Sequence, residues 1–149
     1  ETPYNLRNCA YVDEFEKEKI VYPNMTKYRP FVFDNKKFFT NQKCFIITSE
    51  LNLKYLISIL NSWVFNYAFK DRFPELLGGT RELSKIFFEL LPIPEISENE
   101  QEPFIKLVDI ILAKKENGEN TDAEEKQIDM MVYNLYGLSE EEIEIIEGQ

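Results

Sequence analysis

Residues 43–67, KCFIITSELNLKYLISILNSWVFNY, join a strand to a helix, and their reading decides the fold class. Lys43-Cys44-Phe45-Ile46-Ile47 is a short run of aromatic and β-branched residues, the composition of a half-buried strand. From about Asn52 the period changes. Leu53, Leu56, Ile57, Leu60, Val64 and Tyr67 recur at the spacing that gathers side chains on one face of a helix. An apolar helix face beside a strand predicts a helix packed on a sheet.

Working outward, Lys19-Ile20-Val21-Tyr22 and Arg29 to Phe33 have the same strand character and are bounded by Pro, Asn or Asp. Asp34-Asn35 reads as a turn leading to a further strand at Phe38-Phe39. After the helix, Gly78-Gly79-Thr80 breaks the chain. Leu91-Pro92-Ile93-Pro94 then forces an extended segment, because each proline fixes its own φ and disfavours helix before it. Three helix starts follow, at Ser97-x-x-Glu100, Thr121-x-x-Glu124 and Ser139-x-x-Glu142, each with capping-box spacing. The middle helix carries Ile128, Met131, Val132 and Leu135 on one stripe, and Gly137 stands where a left-handed C-cap would end it. The expected fold is α+β: a small N-terminal β-sheet packed by a helix, an LPIP-type extended segment, and a C-terminal group of about three helices. Residues 1–94 form the sheet-containing region and 95–149 the acidic helical region, together one compact domain of 149 residues.

Composition excludes much chemistry. The chain has no histidine, so Ser-His-Asp, Cys-His and HExxH centres are absent outright. It has no GxxxxGK[ST] or GxGxxG loop, and Cys9 and Cys44 form neither a CxxC metal signature nor a disulfide framework. No run approaches the roughly 18 apolar residues of a membrane helix, and residues 1–20 lack the basic-then-apolar layout of a signal peptide. A reducing cytoplasm is the expected location, with no membrane partner. The opening Glu1-Thr2-Pro3 suggests a piece cut from a longer polypeptide. Acid-plus-lysine nuclease chemistry has two candidate spacings, Asp34-Asn35-Lys36 and Glu124-Glu125-Lys126, the first with Glu14 as an upstream acid. A turn and a solvated helix face account for them more simply.

Charge becomes informative when divided along the chain. Residues 1–90 hold 13 Lys+Arg and 11 Asp+Glu, a net of +2, whereas residues 91–149 hold 4 and 16, a net of −12. Within 27–85 there are 10 basic and 5 acidic residues, interleaved with Tyr28, Phe31, Phe33, Phe38, Phe39 and Phe45. Such a region suits one face of a DNA cleft, since Lys and Arg contacts to phosphate dominate affinity. The third helix does not, because Ser139-Glu140-Glu141-Glu142 would be repelled by phosphates where a recognition helix needs Arg, Asn, Gln or Lys.

The ordered series of these elements resembles the TaqI-like C-terminal specificity domain of type IIG restriction-modification enzymes, which are adenine-specific DNA methyltransferases. The residues that carry the resemblance are Asn5-Leu6-Arg7 with Tyr11 and Phe15, Glu18 to Pro23, Asp34, Phe38-Phe39 and Cys44 to Ile47, then Tyr55 to Ser62 and Gly78-Gly79. The tail adds Leu91-Pro92-Ile93-Pro94, Gln101, Ile128-Asp129 and Val132-Tyr133-x-Leu135-Tyr136-Gly137-Leu138. The LPIP segment with its glutamine-led helix is also similar to type I specificity subunits.

The resemblance implies sequence-specific recognition of double-stranded DNA, beside a methyltransferase domain of the same polypeptide. That domain's Asn-Pro-Pro-Tyr/Phe signature is missing here, so the fragment is expected to have no catalytic residue, metal or cofactor of its own. S-adenosylmethionine and Mg2+ belong to the parent enzyme. The expected DNA-contacting residues are Lys19, Lys27, Arg29, Lys36, Lys37, Asn41, Gln42, Lys43, Arg72 and Arg81. Two alternatives stand beside this reading: an acidic helical protein-interaction module or DNA mimic, suited to a pI of about 4.6, and the metal-dependent nuclease.

Overall fold

The computed structural model describes residues 11–148; Glu1-Thr2-Pro3, Asn5-Leu6-Arg7 and Cys9 lie outside them. The α+β architecture is the expected one. A 3-10 turn, Val12–Glu16, leads into β1 (Lys19–Pro23), the short β2 (Met25–Thr26), β3 (Val32–Asp34) and β4 (Cys44–Ile47). Helices α1 (Leu53–Leu60) and α2 (Trp63–Arg72) follow, then β5 (Arg81–Glu82) and a short α3 (Lys85–Phe88). The chain ends in α4 (Glu98–Glu116), α5 (Asp122–Tyr136) and α6 (Glu140–Glu147).

β1 is central. It pairs antiparallel with β3 (Lys19 opposite Asp34, Val21 opposite Val32) and with β4 (Ile20 opposite Ile47, Pro23 opposite Cys44). β3 and β4 are therefore parallel to each other, and no hairpin can join them. The connection Asn35–Lys43 has to cross the sheet from the Lys19 end of β1 to its Pro23 end. The Phe38-Phe39 strand expected from sequence does not form, because the chain is in transit across the sheet there. The strand expected over Arg29–Phe33 begins only at Val32, Pro30 having no N–H to donate to a ladder. β2 and β5 make a second, two-stranded sheet, tied to the first where Asn24 N–H donates to Lys43 O at 2.8 Å and Leu83 N–H to Asn24 O at 2.9 Å.

The single helix expected from Asn52 to Tyr67 is two. Asn52 caps α1, its side chain accepting from the Lys54 and Tyr55 amides, and the chain turns at Asn61-Ser62. Ser62 is extended, and its Oγ accepts from Phe65 N–H to start α2. A hydroxyl that caps is a local alternative to continuing a helix. Ile20 and Tyr22 from β1, Phe31 just before β3, Tyr55, Leu56, Ile57, Ile59 and Leu60 from α1, Phe65 and Phe69 from α2 and Leu83 join Phe104, Leu107, Val108, Ile128 and Val132 in one hydrophobic core. Ser97 and Ser139 make the expected capping boxes. Thr121 does not: its hydroxyl donates to Glu125, and Glu124 is drawn instead to Lys114 at 2.6 Å. Gly137 closes α5 in the left-handed region at φ 65°. The extended LPIP segment is held by two tyrosines, Tyr55 Oη donating to Pro94 O at 2.6 Å and Tyr136 Oη to Pro92 O at 2.7 Å.

Candidate nucleic-acid interface

The crossing loop between β3 and β4 is organised by one carboxylate. Asp34 Oδ1 accepts from Lys36 N–H at 2.8 Å and Oδ2 from Phe38 N–H at 2.9 Å, while Lys19 Nζ lies 2.7 Å from Oδ2. This Asx-type arrangement replaces the strand ladder at the point where the chain leaves the sheet. Burial by itself would raise the Asp34 carboxyl; the Lys19 ammonium and the two amides outweigh it and hold the group below the usual aspartate range. Lys37 sits at φ 59° in the left-handed region, and the loop is further pinned by Phe39 stacked on Phe15 at 4.9 Å. Even so, Phe38 and Phe39 are 64% and 63% exposed, and Tyr28 is 77% exposed. Large aromatic surface in water marks a place where something binds more readily than a core does.

The ten residues expected to contact DNA fall into two groups. Lys27, Lys36, Lys37, Asn41, Gln42, Lys43 and Arg72 are exposed. Lys36 and Lys37 make solvent-exposed pairs with Glu116 at 3.3 Å and Glu16 at 3.1 Å, weak enough to exchange for a phosphate. Asn41 Oδ1 accepts from Lys43 N–H at 2.9 Å, leaving its amide nitrogen without a bond among the described residues. Asn24 N–H donates to Lys43 O, and the Thr26 hydroxyl donates to Tyr28 O across the turn that carries Lys27. Arg72 pairs with Asp71 at the end of α2, on another element.

Of the other three, Lys19 is corrected by the structure, and Arg29 and Arg81 are partly buried and hydrogen-bonded within the fold. Lys19 has no exposed surface at all, and its ammonium also donates to Phe15 O at 2.9 Å, so it cannot reach a phosphate. Arg29 donates to Asn61 O at 2.6 Å and stacks over Trp63 at 4.6 Å. Arg81 is bonded to Phe73 O and lies 3.1 Å from Glu75, locking the loop before β5. In each case a guanidinium or ammonium donates to a backbone carbonyl of a neighbouring segment. The residues that the charge pattern passes over are Asp34 and the exposed Tyr28 and Phe38; the adjacent Lys36-Lys37-Phe38-Phe39, which alternates with neither period, is the signal that marks a solvent-facing loop.

The acids of the two acid-plus-lysine spacings are held in ion pairs. Asp34 is buried against Lys19, and Glu14 is bonded by Lys17 and by Thr48, each at 2.6 Å. Glu124 and Glu125 pair with Lys114 and Lys115. Among the described residues no three His, Cys, Asp or Glu side chains gather where they could hold a metal ion, and no helix is long and apolar enough to cross a membrane.

The model of the TaqI-like C-terminal specificity domain matches residues 2–93, from before the first turn through the crossing loop and into the LPIP segment. The chain belongs to that family, whose function is DNA sequence recognition in restriction-modification enzymes, a non-catalytic task. No curated protein matches the chain. The helices α4 to α6 follow the matched region, and α4 and α5 supply part of the same core.

Proposed function

We propose that this chain reads the target sequence for a type IIG restriction enzyme, a site-specific adenine methyltransferase of the cytoplasm. Catalysis, S-adenosylmethionine and Mg2+ would belong to other domains of the same polypeptide. Asn41 and Gln42 read base edges, while Lys27, Lys36, Lys37 and Lys43 hold the phosphates of a duplex clamped between this domain and the methyltransferase. The observation that supports this most is the crossing loop: exposed amides and lysines displayed on a backbone fixed at Asp34. An acid-rich mimic of DNA would need its acidic side chains to dominate the binding face, whereas here the sheet loops display lysine and aromatic side chains.

The test is binding of the chain to a randomised duplex library at several salt concentrations. Each phosphate contact contributes a slope of roughly −0.9 in log K against log salt. Lys36→Ala and Lys37→Ala should each flatten that slope by about one, while Asn41→Ala or Gln42→Ala should relax preference at one base pair by roughly 1–3 kcal/mol. Absence of salt-dependent binding would refute the reading.

A further inference from the structure

We propose that Lys19 and Asp34 form a positioning pair that sets the conformation of the base-reading loop, so that DNA specificity depends on two residues that never touch DNA. The inference rests on the reading of the crossing loop given above. Three observations carry it. The pair is withdrawn from water, with side-chain exposures of 0% and 4%, so the two charges can be satisfied only by each other and by adjacent backbone. Asp34 distributes its oxygens between Lys19 and the amides of Lys36 and Phe38, which are the first turn of the loop. Lys19 reaches the other way, to the carbonyl of Phe15, whose ring stacks on Phe39 in the same loop.

One buried ammonium therefore ties the 3-10 turn, the central strand and the loop into a single arrangement. Without the carboxylate the two amides have no acceptor, and Lys37 has no reason to hold its left-handed backbone. The lysines would remain on the chain and still attract phosphate. The amides of Asn41 and Gln42 would lose a fixed direction, and bidentate base contacts depend on direction more than charge attraction does.

The experiment compares the wild-type chain with the double variants Lys19→Met/Asp34→Leu and Lys19→Met/Asp34→Asn. Replacing both members of a buried pair by apolar groups commonly preserves stability, which separates loop geometry from folding. For the Met/Leu variant we expect a cooperative melt, loss of amide-exchange protection at Lys36 and Phe38, and roughly a tenfold or greater loss of discrimination on the randomised duplex library. Affinity for random duplex should stay within about twofold, since its phosphate contacts are kept. The Met/Asn variant, which keeps one acceptor oxygen, should fall between the two, and it decides the matter if Met/Leu does not fold.

Retained protection at both amides, or unchanged base preference in a folded variant, would overturn the proposal. So would an equal loss of specific and random-duplex binding, which would mark the pair as structural only. If the wild-type chain itself selects no sequence, the reading of the loop fails, and the positioning role fails with it.

Discussion

Ion pairs in the sheet region and in the helical tail are built from the same residue types and do different things. Lys19–Asp34 is sealed from water, joins residues far apart in sequence and determines where a loop leaves the sheet. Lys115–Glu125, at 2.8 Å, connects α4 to α5 at the surface, with both side chains about half exposed. Helices α4 and α6 start in their own capping boxes and α5 packs by its apolar stripe, so such surface charges add little to a structure already determined. The sheet strands are short, and their loops are fixed by a few specific polar groups. A domain that must vary its loops to read different sequences is served by such an arrangement: the scaffold resists change and the loop surface is free to take it.

The strongest way to break the contrast is to remove one member of each pair. Lys19→Met leaves Asp34 buried without its counter-charge and should destabilise the chain by about 3–5 kcal/mol, whereas Lys115→Met should change stability by less than about 1 kcal/mol. Urea denaturation of the two variants side by side measures the difference. Equal effects would mean that burial does not separate the two regions.

The joint between the regions comes next. Arg29 bonds the Asn61 carbonyl and stacks on Trp63, whose N–H is accepted by Asp129 of α5 at 2.8 Å. Arg29→Ala should therefore cost roughly 1–3 kcal/mol while leaving the salt slope of DNA binding unchanged. A flattened slope would show that Arg29 reaches phosphate after all.

Within the tail, Ser139→Ala removes the cap of α6 and should cost about 1 kcal/mol. Amide exchange should quicken in Glu140–Glu147 and stay as it was in the crossing loop. Faster exchange at Lys36 or Phe38 would show that the two regions are more tightly coupled than their contacts suggest.

The smallest effect is a difference of sign between two aspartates. Asp34 lies below the usual range for the reasons given above. Burial raises Asp129, against the opposing pull of the Trp63 amide and Arg29. Asp34 therefore supports folding above the ordinary aspartate value of about 3.9, and that support is lost as pH falls through its depressed folded value. Asp129 has the opposite sign: its ionised form is disfavoured by the fold, so its contribution is present below about 3.9 and lost as pH rises through its raised folded value. Asp129→Asn keeps an acceptor for Trp63 and should raise stability at neutral pH by less than about 1 kcal/mol. The gain should vanish at acid pH. Carboxyl NMR titration of the two aspartates checks the order directly, and a reversed order would overturn it.

The sequence by itself determined the fold class, the capped starts at Ser97 and Ser139, the left-handed end at Gly137, the extended LPIP segment and the exposed candidates from Lys36 to Lys43. These follow from forces that act within a turn or two of chain: apolar period, caps, and the fixed φ of proline. The series of motifs also carried the family resemblance. Only the tertiary structure decided that Asn35–Lys43 crosses the sheet rather than turning back as a hairpin, that the long helix breaks at Ser62, that Lys19 is buried against Asp34, and that Arg29 and Arg81 bond to backbone carbonyls. The physical reason is the same in each case. A lysine in water and a lysine in a core are one letter in a sequence, and what separates them is a carboxylate or carbonyl brought alongside by strand register or helix packing, from 15 residues away for Lys19 and 32 for Arg29.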